Sequence, residues 1–81
     1  AARAREFDVI LFKLTPRLRD QIESKITELG SRLDKFPHHR LKGRQEFRLR
    51  VAGYRIIYQF DLDKNVLYLI TLGNRREVYR R

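Results

Sequence analysis

The residues best suited to chemistry in this sequence are arginines that surround a single tyrosine near its end. The last ten residues, LGNRREVYRR, contain Arg75, Arg76, Tyr79, Arg80 and Arg81. A guanidinium binds phosphate through two parallel N–H groups, and a tyrosine hydroxyl can give up or return a proton. Two interpretations are open: the segment is a solvated tail, or it forms part of a phosphate-binding site.

A second group of arginines lies upstream, in the stretch FRLRVAGYRIIYQF (47–60). Arg48 and Arg50 alternate with apolar residues, and Arg55 follows a short turn on the next strand. Because alternate residues of a strand face opposite sides of a sheet, we expect these three on the face away from the core. Tyr79 and its neighbours could fold back over that face. An ordinary solvated sheet face is the simpler alternative, and alternation alone does not exclude it.

The net charge of +9 is unevenly distributed along the chain. Residues 38–55 carry six basic residues and one acidic residue, and residues 72–81 carry four arginines and one glutamate. Residues 1–37 carry a smaller net positive charge, with eight basic and six acidic residues. Arginines also outnumber lysines, which favours phosphate binding over simple solubility. The pattern indicates a polyanionic partner, either a nucleic acid or an acidic protein.

Length and composition predict a single domain spanning residues 1–81. An apolar fraction of 42% is sufficient for a folded core. The chain has no cysteine, which excludes disulfides and thiolate metal sites and fits a cytoplasmic location. No apolar run approaches the roughly 20 residues of a membrane span, so we expect no membrane partner. The sequence begins with Ala1 rather than Met, and a processed or truncated start is one interpretation.

The N-terminal half predicts an antiparallel helical hairpin. Residues 2–14 place apolar side chains at helical spacing, although FDVILF alone would also suit a strand. Thr15 is a good N-cap and Pro16 suits the first position of a second helix. That helix carries one apolar stripe along its length, formed by Leu18, Ile22, Ile26, Leu29 and Leu33.

Three strands are predicted after a connecting loop at DKFPHHRLKG. They are EFRLRV, YRIIYQF and VLYLITL, separated by turns at AG and DLDKN. The last strand is apolar on both faces, which is typical of a central strand and places Tyr68 in the core. Three aromatic residues of the middle strand, Tyr54, Tyr58 and Phe60, also fit the core better than a base-stacking surface. The fold class is therefore α+β, with the hairpin packed on a twisted antiparallel sheet.

Three segments carry a resemblance to a known family: LKG (41–43), FRLRVAGYRIIYQF (47–60) and LGNRREVYRR (72–81). The chain resembles the RelE/ParE superfamily of toxins from toxin–antitoxin modules, and most of all its RelE branch. The resemblance extends from residue 7 onward. Members usually begin with a short strand before the first helix. Here the chain is predicted to enter the helix directly, so that strand is expected to be missing or truncated.

The resemblance implies an endoribonuclease that cuts mRNA in the ribosomal A site without a metal or other cofactor. A ribose 2′-hydroxyl would attack the adjacent phosphate, which requires a base, an acid and charge stabilisation. By motif position, Arg48 and Arg55 would hold the phosphate. Arg75 would stabilise the phosphorane or protonate the leaving oxygen, and Tyr79 would act as the base or stack on a nucleobase.

The other cations near these motifs are expected to attract RNA: Lys42, Arg44, Arg50, Arg76, Arg80 and Arg81. Two positions depart from the family pattern. Glu46 stands where a lysine is common, and its carboxylate could serve as the base or repel phosphate. Asn74 stands where His or Lys is common. The exact roles of the neighbouring residues are therefore open at this point.

The implied partners are a cognate acidic antitoxin, the ribosome and mRNA. The alternative within the superfamily is a ParE-like inhibitor that binds DNA gyrase and cleaves no RNA. A catalytically inactive RNA-binding domain is a third interpretation. The adjacent pair His38 and His39 favours a loop or antitoxin contact over catalysis, because neighbouring side chains point apart. Two histidines are also too few ligands for a metal site.

Overall fold

The computed structural model describes residues 2–74, and within them it contains two helices and five strands. Across the sheet the strand order is β1-β5-β4-β3-β2, and β1 is the one strand parallel to its neighbour in this part of the chain. The fold is α+β, as predicted. The elements in chain order are β1 (Ala2–Arg3), α1 (Arg5–Phe12), α2 (Pro16–Ser31), β2 (His39–Arg40), β3 (Phe47–Val51), β4 (Tyr54–Asp61) and β5 (Val66–Asn74).

The N-terminal residues form a short edge strand, which corrects the prediction of a helix over residues 2–14. β1 runs parallel to β5, with Ala2 opposite Tyr68. The backbone N–H of Ala4 continues the pairing by donating to the Leu69 carbonyl at 2.8 Å. The edge of β5 therefore provides backbone partners for this segment, and α1 starts only after Ala4. The strand that was expected to be missing or truncated is present with two residues.

The predicted helical hairpin is confirmed. The Thr15 hydroxyl accepts a hydrogen bond from the Leu18 N–H at 3.3 Å, and Pro16 is the first residue of α2. The apolar stripe of α2 faces the sheet, where Ile22 and Ile26 are buried. The hairpin thus covers one face of the sheet, and the opposite face does not pack against these two helices.

β3, β4 and β5 form the predicted antiparallel meander. The hairpin between β3 and β4 turns at Ala52 and Gly53, whose φ angles are 50° and 82°. Both residues adopt the left-handed conformation that two-residue hairpin turns need. As predicted, every second residue of β3 and β4 packs in or against the core: Phe47, Leu49, Val51, Tyr54, Ile56, Tyr58 and Phe60.

A bulge in β5 changes which of its residues face the core. The register between β4 and β5 shifts between Ile57 and Tyr58, which makes Ile70 the extra residue. The core therefore receives Leu69 before the bulge and Leu72 after it, three residues apart rather than two. The bulge explains why this strand looks apolar on both faces in the sequence.

Tyr68 is 38% exposed, so the prediction that it lies in the core is wrong. It alternates with the buried Leu67 and Leu69 and must therefore point to the opposite face of the sheet. Among residues 2–74, its neighbour at this edge of the sheet is the short β1, with Ala2 opposite it. A two-residue edge strand with a small side chain leaves the tyrosine open to solvent.

β2 lies in the stretch for which a loop is predicted. His39 pairs with Arg48 and Arg40 pairs with Phe47, which adds a second edge strand beside β3. Two residues are too few to produce a periodic pattern. The sheet consequently has five strands in the described residues, not the three that alternation indicates.

His38 is a partly buried loop residue whose ring packs against aromatic side chains of the sheet. Its Nε2–H donates to the Leu33 carbonyl at 2.7 Å, and its Nδ1 lies 2.6 Å from the Tyr58 hydroxyl. Because a carbonyl only accepts, the neutral ring must accept at Nδ1 and the Tyr58 hydroxyl must donate. The ring stacks on Phe60 with centroids 4.1 Å apart. The predicted loop position of His38 is confirmed, and its contact with an antitoxin stays a prediction.

Tyr58→Phe should lower the free energy of unfolding by about 1–3 kcal/mol at pH 7, because His38 Nδ1 loses its donor in a buried site. Burial also raises the pKa of Tyr58 from 10.0 to about 12. The folded state thus favours the protonated hydroxyl, and this contribution is present below pH 10 and lost as the pH rises through about 12. Urea unfolding between pH 7 and 12 checks both effects. Identical pH dependence in the two proteins would contradict this role for Tyr58.

Candidate functional site

The sheet face opposite the helices brings Arg50 and Arg55 together. They are directly opposite each other in the β3–β4 pairing, and Arg55 is in turn opposite Gly73 on β5. Opposed residues of neighbouring strands share a face, so the two guanidinium groups start from adjacent positions. Glycine has no side chain and leaves room beside Arg55. Like charges directly opposite each other weaken a sheet, and an anion between them would reverse that effect.

Arg55 is buried, with 3% of its surface exposed, whereas Arg50 is exposed. Both line a pocket of about 200 Å³ at the β3–β4 turn, together with Gly53 and Tyr54. A buried arginine on a strand, next to a second arginine and open to a small pocket, is suited to holding a phosphate in a fixed orientation.

Arg48 extends this basic face along β3 toward the sheet edge. It is opposite Ile57 on one side and His39 on the other. His39, Arg48 and Arg50 line a pocket of about 370 Å³ beside β3, together with Phe36, Pro37 and Leu49. The structure thus brings together three of the arginines predicted from the sequence and adds an imidazole that the pattern alone does not place there.

A small apolar cluster forms the floor of the basic face. Leu41 and Ile57 are buried there, with Ile70 packed against them. The bulge in β5 places Ile70 beside Ile57, and the loop after β2 places Leu41 over both. This cluster lies outside the main core and anchors the loop between β2 and β3 to the basic face.

That loop carries the predicted RNA-binding residues Lys42 and Arg44, both exposed. Arg44 Nε lies 3.0 Å from the Glu46 carboxylate. The carboxylate considered above as a candidate base is therefore engaged in an ion pair. Arg40 joins the same region from β2, with its guanidinium 5.2 Å from the centroid of the Phe47 ring.

The C-terminal predictions lie outside the described residues. They are the catalytic candidates Arg75 and Tyr79 and the RNA-binding candidates Arg76, Arg80 and Arg81. β5 ends at Asn74, on the strand that places Gly73 beside Arg55. The roles of these residues stay predictions.

Sequence reasoning missed Leu41 and His39 as parts of this face. The signal available was the basic run HHRLKGR directly before the first arginine-bearing strand. Within residues 2–74, no three His, Cys, Asp or Glu side chains converge to hold a metal ion. The helices in that range are too short and too polar to cross a membrane.

Comparison with known proteins gives matches over most of the chain. A family model described as the ParE toxin of type II toxin–antitoxin system, parDE, matches residues 3–79. The mRNA interferase toxin RelE of Escherichia coli K12 is 32% identical, over 83% of this chain and 75% of that protein.

Solved structures agree with the fold. The crystal structure of the isolated E. coli RelE toxin superposes with a TM-score of 0.76 at 25% identity, covering 98% of this chain and 88% of that one. The toxin in the intact E. coli RelBE toxin–antitoxin complex superposes with a TM-score of 0.71 at 26% identity, covering 90% and 92% of the two chains.

Proposed function

The chain belongs to the ParE toxin family of type II toxin–antitoxin systems, and we propose that it is a cytoplasmic, ribosome-dependent endoribonuclease that cuts mRNA. The observation that carries the proposal is the row formed by the buried Arg55 and the opposed Arg50, with Arg48 beside them. A protein that only docks on another protein does not need a buried arginine beside a second arginine in a small pocket. The relationship to a toxin named mRNA interferase favours the same conclusion.

The proposed reaction transfers a phosphate from one ribose oxygen to another. The 2′-oxygen forms a bond to the adjacent phosphorus while the bond from phosphorus to the 5′-oxygen breaks. Tyr79 takes the 2′-proton, or stacks on the nucleobase to align it. Arg75 donates a proton to the departing oxygen or stabilises the phosphorane. The products are a 2′,3′-cyclic phosphate and a free 5′-hydroxyl, and no cofactor enters the balance.

Arg48 and Arg55 hold the phosphate and stabilise the negative charge that accumulates on it. Arg50 and the exposed cations of the β2–β3 loop raise the local concentration of RNA. The ribosome supplies the alignment of the message, which contributes a large part of the rate in reactions of this kind. The chain itself therefore needs only a few well-placed charges and weak acid–base groups.

A cognate acidic antitoxin is proposed to neutralise the toxin by covering the basic face. The E. coli RelBE complex is a toxin–antitoxin assembly of a similar chain. Opposite charge on the two partners would speed their association. Co-purification with a small acidic protein checks this part of the proposal, and replacing Arg48 and Arg50 by glutamine should weaken the complex.

The direct test adds the purified protein to ribosomes translating a defined message and maps the new RNA ends. We expect cuts at codon-spaced positions that carry a 5′-hydroxyl on the downstream fragment, with no cutting of the same RNA free in solution. Arg75→Ala and Tyr79→Phe should remove the cuts. An intact message under these conditions would overturn the proposal.

A gyrase inhibitor is the second candidate function, and the matching family model is named for the ParE toxin. A supercoiling assay with purified gyrase, run with the same protein preparation, separates the two functions. Blocked supercoiling with an intact message would favour inhibition of gyrase by protein binding. Cut message with normal supercoiling would favour the ribonuclease.

A further inference from the structure

A second basic pocket lies further along β3 from the one that contains Arg55 and shares no lining residue with it. It has a volume of about 400 Å³ and lies between β2 and the loop that leads into β3. Its lining consists of one leucine, Leu41, and four cations: Arg40, Lys42, Arg44 and Arg48. We infer that this pocket is a second phosphate subsite for an RNA backbone, and that Glu46 lowers its affinity by holding Arg44. The inference rests on the proposed function.

The loop that forms the pocket is held in place by its own backbone. The Leu41 N–H donates to the Glu46 carbonyl at 2.9 Å, and the Arg44 N–H donates to the Leu41 carbonyl at 3.1 Å. Gly43 takes the positive φ of 72° that this tight turn requires. The Leu41 side chain is buried against Ile57. The cations of the loop therefore project from an ordered backbone, which reduces the entropy lost when an anion binds.

Two of the cations are also positioned by side-chain contacts. The Arg40 guanidinium lies over the Phe47 ring, on the face opposite to that of Arg48, so Arg40 lines the pocket from β2 without sharing the face of Arg48. Arg44 is held by Glu46 at 3.0 Å. That carboxylate removes one unit of charge next to an anion site, so a phosphate must compete with it for Arg44.

Arg48 connects this pocket to the rest of the basic face. It lines the second pocket and also the 370 Å³ pocket that it shares with His39 and Arg50. Arg50 lies two residues further along β3. Alternate residues of a strand are about 6.8 Å apart, a spacing that neighbouring phosphates of an extended single strand can match. A strand of RNA that places one phosphate at Arg55 would therefore carry a flanking phosphate toward Arg44 and Lys42.

The test measures binding of a 2′-O-methyl RNA hexamer, which cannot be cleaved, by fluorescence anisotropy at several salt concentrations. Each lost phosphate contact lowers the slope of log K against log salt by about 0.7 for single strands. We expect that decrease for Lys42→Ala and for Arg44→Ala. Arg17→Ala removes one exposed charge from α2, behind the sheet, and should leave the slope unchanged.

A second measurement concerns Glu46. Glu46→Gln should tighten binding about two- to fivefold, the range expected when one exposed ion pair is released, and the gain should vanish in an Arg44→Ala background. Glu28→Gln is the matched control, because Glu28 is an exposed carboxylate paired with Lys25 on α2. An equal gain from Glu28→Gln, or a gain that survives without Arg44, would overturn the role of Glu46.

The phosphate could belong to the message or to ribosomal RNA, so the same variants are tested on empty ribosomes. Weaker binding in either arm supports the subsite and identifies the source, whereas unchanged binding in both arms overturns it. These measurements do not require cleavage. If the wild-type protein cuts mRNA while the loop variants bind normally, only the subsite fails. If it cuts no message, the proposed function fails and the binding data still decide the subsite.

Discussion

Replacing Arg55 by glutamine should lower the single-turnover rate of message cleavage on programmed ribosomes by about 10²–10³-fold, the loss seen when a fixed donor to a developing oxyanion is removed. Arg55 is 3% exposed and lies opposite both Arg50 and Gly73. The decrease should appear in kcat rather than in KM, because the charge it stabilises forms in the transition state.

Arg55→Lys separates charge from geometry. Lysine keeps the positive charge but cannot form two parallel hydrogen bonds, so cleavage should fall about 10- to 100-fold, corresponding to the loss of one charged hydrogen bond. Arg17→Gln, on the exposed side of α2, is the control and should cleave normally. Thermal unfolding of all three variants shows whether they are folded. Folded Arg55 variants that cleave at the wild-type rate would contradict the assignment.

The larger elements of this fold can be predicted from the sequence because each one is periodic. The stripe that ends with Leu29 and Leu33 and the alternation around Arg48 indicate a helix and strands on their own. β1 and β2 cannot be found in this way, since two residues show no period and form only where a neighbouring strand offers backbone partners. The exposure of Tyr68 cannot be predicted from the pattern either, because it depends on how short the adjacent edge strand is.

The basic face could be predicted in part for the same reason. Alternation correctly places Arg48, Arg50 and Arg55 away from the helices. It cannot show that Arg55 is buried while Arg50 is exposed, because that difference depends on neighbouring strands. The second pocket depends on a loop folded over an apolar cluster, and its key contact, between Arg44 and Glu46, is local but aperiodic. Tertiary contacts of this kind leave no pattern in the sequence.

The largest effect on stability is expected for Phe7→Ala, which should lower the free energy of unfolding by about 3–5 kcal/mol. Phe7 is a residue of α1 with no exposed surface, and its ring packs in the core between this helix and the sheet. The Arg3 guanidinium of β1 lies 5.7 Å from the centroid of its ring and is ion-paired with Glu23 of α2. Removing the ring therefore opens a cavity and also loosens the contact between β1 and the helices. Differential scanning calorimetry measures the loss.

Phe12→Ala provides a control with the same chemical change on the same helix. Phe12 is 67% exposed, and Arg19 lies 5.9 Å from the centroid of its ring. Removing the Phe12 ring should lower the free energy of unfolding by less than about 1 kcal/mol, the value of an exposed cation–π contact. For a domain of this size each kcal/mol shifts Tm by roughly 4–8 °C, so the two variants should differ by more than about 8 °C. Because Phe7→Ala lowers the fraction of folded protein and leaves the arginines of the site in place, its message cleavage should recover on cooling, whereas that of Arg55→Gln should not.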